Sequence, residues 1–331
     1  MSAYTSIELE GDRAAALTRL PARAGVGQIL GPQGRNLIIG RPANLRRWAA
    51  NHLGLGRPVA KGKRPPTDLS SIATAVAFAE ATSPFHQRLL FERLMDRHVP
   101  RAKRRDLKPP GFLHLDSAER FPRLSVRGAR EERAHCFGPF RDRKAAERAR
   151  DALHKLHPLR PCDFVFEPDL QLPLGLGCLF AQVRSCAAPC LSRVSEEAYR
   201  ALAHDLEAVL LGSAFRSEEL GQVLPDFVAG AGSRGLVVAS NQDEVELYPV
   251  VAGAVLEEGA ARVGREGLAS ETRTLEAVLA GLRFESASPL PDDLPWLLQW
   301  ILGPRRGGGY LVGRDSETAS ALAARVREVL T

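Results

Sequence analysis

The sequence predicts an α/β (α+β) chain: a small antiparallel sheet flanked by helices, a helical linker carrying a cysteine cluster, and a small C-terminal α/β module. Three observations carry this reading. Two short apolar runs, 25–30 and 36–40, flank the stretch "GPQG", a hairpin signal with a slightly long turn. Segments with helical spacing of apolar residues recur along the 331 residues, enough chain for two or three cores. Four cysteines fall within 29 positions, in a loop between two predicted helices.

Taken in order, "TSIEL" (5–9) reads as a strand, followed by the hairpin of 25–30 and 36–40. From Ala43 the positions Leu45, Trp48, Ala49 and Leu53 fit a helix. Residues 54–66 form a loop with a basic tip, and helical pattern is expected again over 69–78 and over 85–95, the second limited by Pro100. After the charged linker 101–112, strands are expected at 112–116 and 121–127. Residues 143–156 read as a helix with Ala145, Ala149, Ala152, Leu153 and Leu156 inward. Residues 195–212 form another amphipathic helix, with Ser195 as N-cap and Glu196 and Glu197 at the positive end of the macrodipole. Past residue 230, "RGLVVAS" and "EVELYPV" flank "NQD" as a hairpin, with "GAVLEEG" a candidate third strand. "TLEAVLAGL" and "PWLLQWIL" are helical, "GGGYLVG" is a short strand, and 316–330 is a terminal helix. The expected divisions are 1–105, 106–212 and 213–331.

Charge is distributed unevenly. Residues 1–150 hold 29 Lys+Arg and 14 Asp+Glu, or +15, whereas residues 151–331 hold 16 and 25, or −9. A basic half joined to an acidic half points the first half toward a polyanion. An arginine-rich solvated surface would account for many of the arginines but not for the split. No apolar run approaches the length of a membrane span, and the N-terminus lacks a secretory pattern. The cytoplasm is the expected compartment, and there clustered thiols are more often metal ligands or redox groups than disulfides.

The cysteines stand as Cys162, Cys178, Cys186 and Cys190. Only the last two form a short pair of the kind a structural zinc site uses, so the spacing fits zinc poorly without excluding it. Four thiolates at irregular spacing also suit a cubane iron–sulfur cluster. The plainer reading is four buried cysteines acting as small hydrophobes, which ranks below a metal site for so dense a group. Cys136, beside "FGPF", reads as a packed free thiol.

Phe137, Gly138, Pro139 and Phe140, then Leu159, Arg160, Cys162, Cys178, Leu179, Cys186, Ala188, Pro189 and Cys190, resemble in order a segment of the UvrC excinuclease family. There, the four cysteines hold a [4Fe–4S] cluster, so the resemblance favours iron–sulfur and keeps zinc as the alternative. Gly25, Val26, Gly40, Asn44, Leu45 and Arg46 likewise fall on the pattern of the family's GIY-YIG nuclease domain. The resemblance covers about residues 15–212, and the length looks more like that of the shorter, Cho-like members. No acidic triad suggests the family's second nuclease, and "GPRRGGGYLVG" lacks the Gly-Lys-Ser/Thr ending of a phosphate loop.

The resemblance implies a tyrosine to activate water, an arginine to stabilise phosphate charge, and a glutamate to hold a divalent metal such as Mg²⁺. At those positions the chain has Gly27 and Ile38 for the two motif tyrosines, Phe91 for the glutamate and Lys103 for a nearby asparagine; of the catalytic set only Arg46 remains. Glycine, isoleucine and phenylalanine neither shuttle protons nor bind a hard cation. Glu92 is offset by about 100° on the helix and is expected to face elsewhere. The implied protein is a degenerate nuclease domain that binds DNA, acting in or beside nucleotide excision repair with other repair proteins. Its phosphate contacts would come from Arg41, Arg46, Arg47, Lys61, Lys63, Arg64, Arg101, Lys103, Arg104 and Arg105. Two alternatives differ in class. One is an active structure-specific endonuclease with Glu92, His86 or His98 as substitute ligands. The other is a protein-interaction scaffold.

Overall fold

A computed structural model of the chain describes residues 4–56, 65–104, 106–128, 135–170, 178–211, 234–268, 270–282, 293–301, 308–314 and 317–330. Among these, three antiparallel sheets follow one another along the chain, each backed by helices. This is the mixed architecture expected from the sequence.

The first sheet contains β1 (Thr5–Glu8), β2 (Gly25–Leu30), β3 (Asn36–Gly40) and β4 (Ala75–Glu80), in the order β1-β4-β2-β3. β2 and β3 form the expected hairpin, with Gly27 opposite Gly40 and Ile29 opposite Ile38. Between β1 and β2 lies α1 (Arg13–Thr18), whose N-cap Asp12 accepts from the Ala14 and Ala15 amides. After β3 comes α2 (Leu45–His52), capped by Asn44 through the Arg47 amide at 2.8 Å. α1 and α2 cover one face of the sheet around Ile7, Leu17, Ile29, Leu45, Ala49 and Val76. α3 (Pro84–His98) covers the other through Leu90 and Leu94 against Val26 and Ala79. Residues 69–78, expected as a helix, are corrected: a turn leads into β4, a central strand buried on both faces from Ala75 to Ala79. Such a strand shows no alternation, so its apolar run cannot be told from a buried helix by periodicity.

The second sheet holds β5 (Gly111–Leu115), β6 (Leu124–Arg127) and β7 (His135–Phe140) in the order β6-β5-β7. β7 is additional to the sequence expectation; it runs through the "FGPF" stretch, whose glycine and proline break the strand pattern. α4 (Arg143–Leu156) packs on this sheet, capped by Asp142 through the Ala145 amide. Ala146, Ala149 and Leu153 are fully buried beneath it, whereas Leu156, expected inward, is 72% exposed. Beyond α5 (Leu179–Gln182), α6 (Glu196–Leu211) completes this core with Tyr199, Ala203 and Leu206, and the Ser195 hydroxyl caps it through the Ala198 amide.

The third sheet contains β8 (Arg234–Ser240), β9 (Glu244–Val251), β10 (Ala254–Val255), β11 (Ala261–Gly264) and β12 (Gly308–Val312). β12, β8, β9 and β10 lie in that order, and β11 pairs with the other end of β9. The two-residue turn from β9 to β10 places Ala252 and Gly253 at φ of 51° and 82°, the left-handed pair of a type I′ hairpin. α7 (Thr272–Leu282) and α9 (Ala319–Leu330) cover one face, and α8 (Leu294–Ile301) the other.

α3 joins the first sheet to the third. Phe85 and Leu89 on α3 pack with Tyr248, Trp296 and Leu297. Asp293, ahead of α8, holds the Arg93 guanidinium, which also pairs with Glu257 at 2.8 Å. Beside them Glu246, fully buried, accepts from the hydroxyls of Thr82, Ser83 and Tyr248 and pairs with Arg262 at 3.2 Å. No helix among the described residues is long and apolar enough to cross a membrane.

Candidate functional site

Two sets of sequence-predicted residues bear on function: the nuclease-like positions of the first sheet and the cysteine loop.

Gly27 and Gly40 face each other across the hairpin, and the Trp48 indole from α2 lies over both. A Cβ at Gly27 would stand 2.5 Å from the indole, and one at Gly40 2.8 Å from it. The volume into which a tyrosine at position 27 would project is therefore filled by another residue's ring. Ile38 packs into the same layer. Phe91 lies in the layer on the opposite face, with Tyr4 and Ile39, and the Arg41 guanidinium sits 5.5 Å from its ring centre. This is a cation–π contact at the position where the sequence resemblance led us to expect a metal-binding glutamate. Glu92 faces elsewhere, as helical geometry requires. It is fully buried and paired with Arg88 at 2.5 Å and Arg104 at 2.6 Å. His86 is buried against the Thr82 hydroxyl at 2.7 Å, and His98 meets the Gln28 side chain at 2.8 Å. Among the described residues, no trio of His, Cys, Asp or Glu side chains is spaced to hold a metal ion.

The predicted phosphate contacts separate into groups. Arg46 donates to the Leu20 and Thr18 carbonyls at 2.8 and 2.9 Å, closing the C-terminal end of α1. Arg101 pairs with Asp96 at 2.6 Å and reaches Asp293 at 3.4 Å. Arg104 is a correction: only 5% exposed and paired with Glu92, Asp96 and Asp106, it presents no charge to solvent. Arg41, Arg47 and Lys103 are exposed. Lys61, Lys63, Arg64 and Arg105 lie outside the described residues.

The cysteine loop runs between α4 and α6. Arg160, 9% exposed, anchors its start: the guanidinium donates to the Phe121, Cys162 and Phe164 carbonyls and pairs with Glu119 at 2.9 Å. The Tyr199 hydroxyl accepts from the Arg160 amide at 2.7 Å and donates to the Pro122 carbonyl at 2.9 Å. The Asp169 amide reaches the Cys190 carbonyl and the Ala187 amide the Pro158 carbonyl, tying both ends of the loop together. Arg184, Ala188 and Ser192 adopt φ between 51° and 57°, left-handed conformations that cost non-glycine residues about 1–2 kcal/mol each. Such strain collects at functional sites. Neither the anchoring role of Arg160 nor this strain is visible in the sequence; the arginine joins the nearby Cys162 and Phe164 carbonyls to that of Phe121, 39 residues away, and to Glu119.

All four thiols are free. Cys186 and Cys190 are buried, Cys162 and Cys178 half-buried. Burial pushes the Cys186 thiol up to about 11. The Ala188 amide, donating to its sulfur at 3.3 Å, opposes that rise, and the Cys162, Cys178 and Cys190 thiols add to it. Burial likewise raises Cys190, with Cys178 and Cys162 contributing. The sequence led us to expect these four sulfurs to share one centre; among the described residues no three of them are spaced to hold a metal ion.

Residues 112–208 match the UvrC/Cho excinuclease middle domain. The chain is 30% identical over 197 residues to the UvrABC system protein C of Alkalilimnicola ehrlichii, covering 59% of this chain and 31% of that protein. It is 32% identical over 212 residues to that of Sphingopyxis alaskensis (62% and 31%), and 30% identical over 201 residues to that of Rhodospirillum rubrum (60% and 30%). The chain therefore spans about a third of the length of these relatives. No solved structure matches it.

Proposed function

Since the chain is a member of the UvrC family, we propose that it is a DNA-binding protein of nucleotide-excision-repair type whose nuclease-like domain does not cleave. The observation that carries this reading is Trp48 lying over Gly27 and Gly40, with Phe91 on the far side of the sheet beneath Arg41. Hydrolysis of a phosphodiester requires a group that takes a proton from water and a group that holds a cation at the leaving oxygen. The side chains at the family's positions for both are apolar or absent, and Arg46 is engaged with backbone carbonyls. What remains is cationic surface, with Arg41, Arg47 and Lys103 exposed. Such surface gives salt-dependent affinity with little sequence preference.

Cys162, Cys178, Cys186 and Cys190 would hold a [4Fe–4S] cluster, with zinc as the alternative. That centre would supply a rigid cross-link between α4 and α6. Arg160 and Tyr199 fix the backbone from which Cys162 projects. DNA, and other repair proteins acting on it, are the proposed partners.

The test is to incubate nicked, flapped and damaged duplexes with anaerobically prepared protein and Mg²⁺ or Mn²⁺. Retarded but intact DNA is expected. Cleavage that is lost on Arg46→Ala would overturn the reading in favour of an active endonuclease. Absence of any shift would favour a protein scaffold.

A further inference from the structure

α4 turns its apolar side wholly inward, with Ala146, Ala149 and Leu153 fully buried. Its outward side carries Lys144, Arg148 and Lys155, all exposed. At about 100° per residue these three fall within about 40° of one another, and at about 1.5 Å per residue they span about 16 Å along the helix. Asp151 lies in the same stripe, about 20° from Lys144, with its carboxylate on Arg150 at 2.8 Å; Glu147, at the edge of the stripe, pairs with Arg143 at 2.8 Å. Among the described residues no carboxylate lies within ion-pair distance of Lys144, Arg148 or Lys155. The contrast with Arg101 and Arg104, cations of the linker that are paired internally, is direct.

We propose that this face of α4 is a phosphate-contacting surface for duplex DNA. The inference rests on the DNA-binding function proposed for the chain and gives it a location outside the nuclease-like sheet. Three long, unpaired cations in a row supply charge and reach but no hydrogen-bonding pattern matched to bases. The contact is therefore to backbone phosphates and independent of sequence. Duplex phosphates advance about 1.7 Å per charge along the axis, so a row of about 16 Å can meet three of them on one side of the helix. Nothing in the apolar packing of α4 requires positive charge on its outer side. Neutral polar residues would leave the fold intact.

The test is the salt dependence of duplex binding by the full chain, comparing wild type with the triple variant Lys144→Gln, Arg148→Gln, Lys155→Gln and the charge-preserving Lys144→Arg, Arg148→Lys, Lys155→Arg. Losing three phosphate contacts should flatten the slope of log affinity against log salt by about 2.7, at about 0.9 per contact. The charge-preserving variant should keep the wild-type slope, and all three proteins should unfold at the same temperature. A triple variant with a slope within one of wild type overturns this surface while leaving DNA binding standing. A wild type that retards no duplex overturns both readings. A wild type that binds vesicles of anionic lipid through these residues while ignoring duplex also overturns both.

Discussion

Asp293 holds Arg93 with both carboxylate oxygens, at 2.6 and 2.8 Å, from a fully buried position ahead of α8. The pair joins the helix that backs the first sheet to the helix that backs the third. The same carboxylate accepts from the Val255 amide at 2.9 Å and the Trp296 indole at 3.0 Å. Burial opposes the charge on Arg93, but its bonds to Asp293 and Glu257 outweigh that and hold its pKa above the ordinary value.

Asp293→Ala should therefore destabilise the chain by about 3 kcal/mol, the cost of breaking a buried ion pair, with the Val255 amide and Trp296 indole losing their acceptor while Arg93 keeps Glu257. Chemical denaturation of the full chain measures this. Asp293→Asn, which keeps hydrogen-bond acceptance but not charge, should lose less.

The Trp48 contact predicts a steric effect. Gly27→Ala places a methyl group 2.5 Å from the indole, with Gly40 beneath the same ring. The change should cost about 1–3 kcal/mol as overpacking. Trp48 must move to accept it, so its fluorescence should shift as well. A Gly27→Ala variant with wild-type stability and emission would show that the ring is not seated on the hairpin.

His154 sets a pH dependence. It is 6% exposed on α4, and its Nε2 has no hydrogen-bond partner. Burial lowers its pKa to about 4, with the Arg150 charge adding to the effect and Asp151 opposing it. The unfolded chain takes up this proton near the ordinary histidine value of about 6.5, before the folded chain does. Stability from this group is therefore full above about 6.5 and falls as pH drops toward 4. The loss across that window is about 3 kcal/mol. His154→Gln should flatten the profile there, as read from unfolding midpoints at about pH 7 and about pH 4.5.

Anaerobically purified protein should be brown and hold about four irons per chain. Cys186→Ser and Cys190→Ser should bleach it, as followed by visible absorption and iron analysis. A colourless protein with one tightly held zinc per chain would assign the loop to zinc instead.

Elements whose signals are local are legible in the sequence. The hairpin of β2 and β3 and the span of α4 follow from turn chemistry and helical spacing, which depend on neighbours within about one turn. β4 is not legible because both of its faces are buried, so its sequence lacks the alternation that marks a half-exposed strand. That Gly27, Ile38 and Phe91 stand where the resemblance leads one to expect two tyrosines and a glutamate is legible, because it needs only residue identities.

The sequence by itself determined which chemical groups exist: four clustered thiols, a basic half, and apolar residues at the expected catalytic positions. Only the tertiary structure decided which of those groups are available. Arg46 closes α1, Arg104 is buried among carboxylates, and Arg93 is held by Asp293, whereas Lys144, Arg148 and Lys155 remain unpaired. The physical reason is that a charge's availability depends on partners brought to it through space. For Arg93 and Asp293, those partners lie 200 residues apart along the chain.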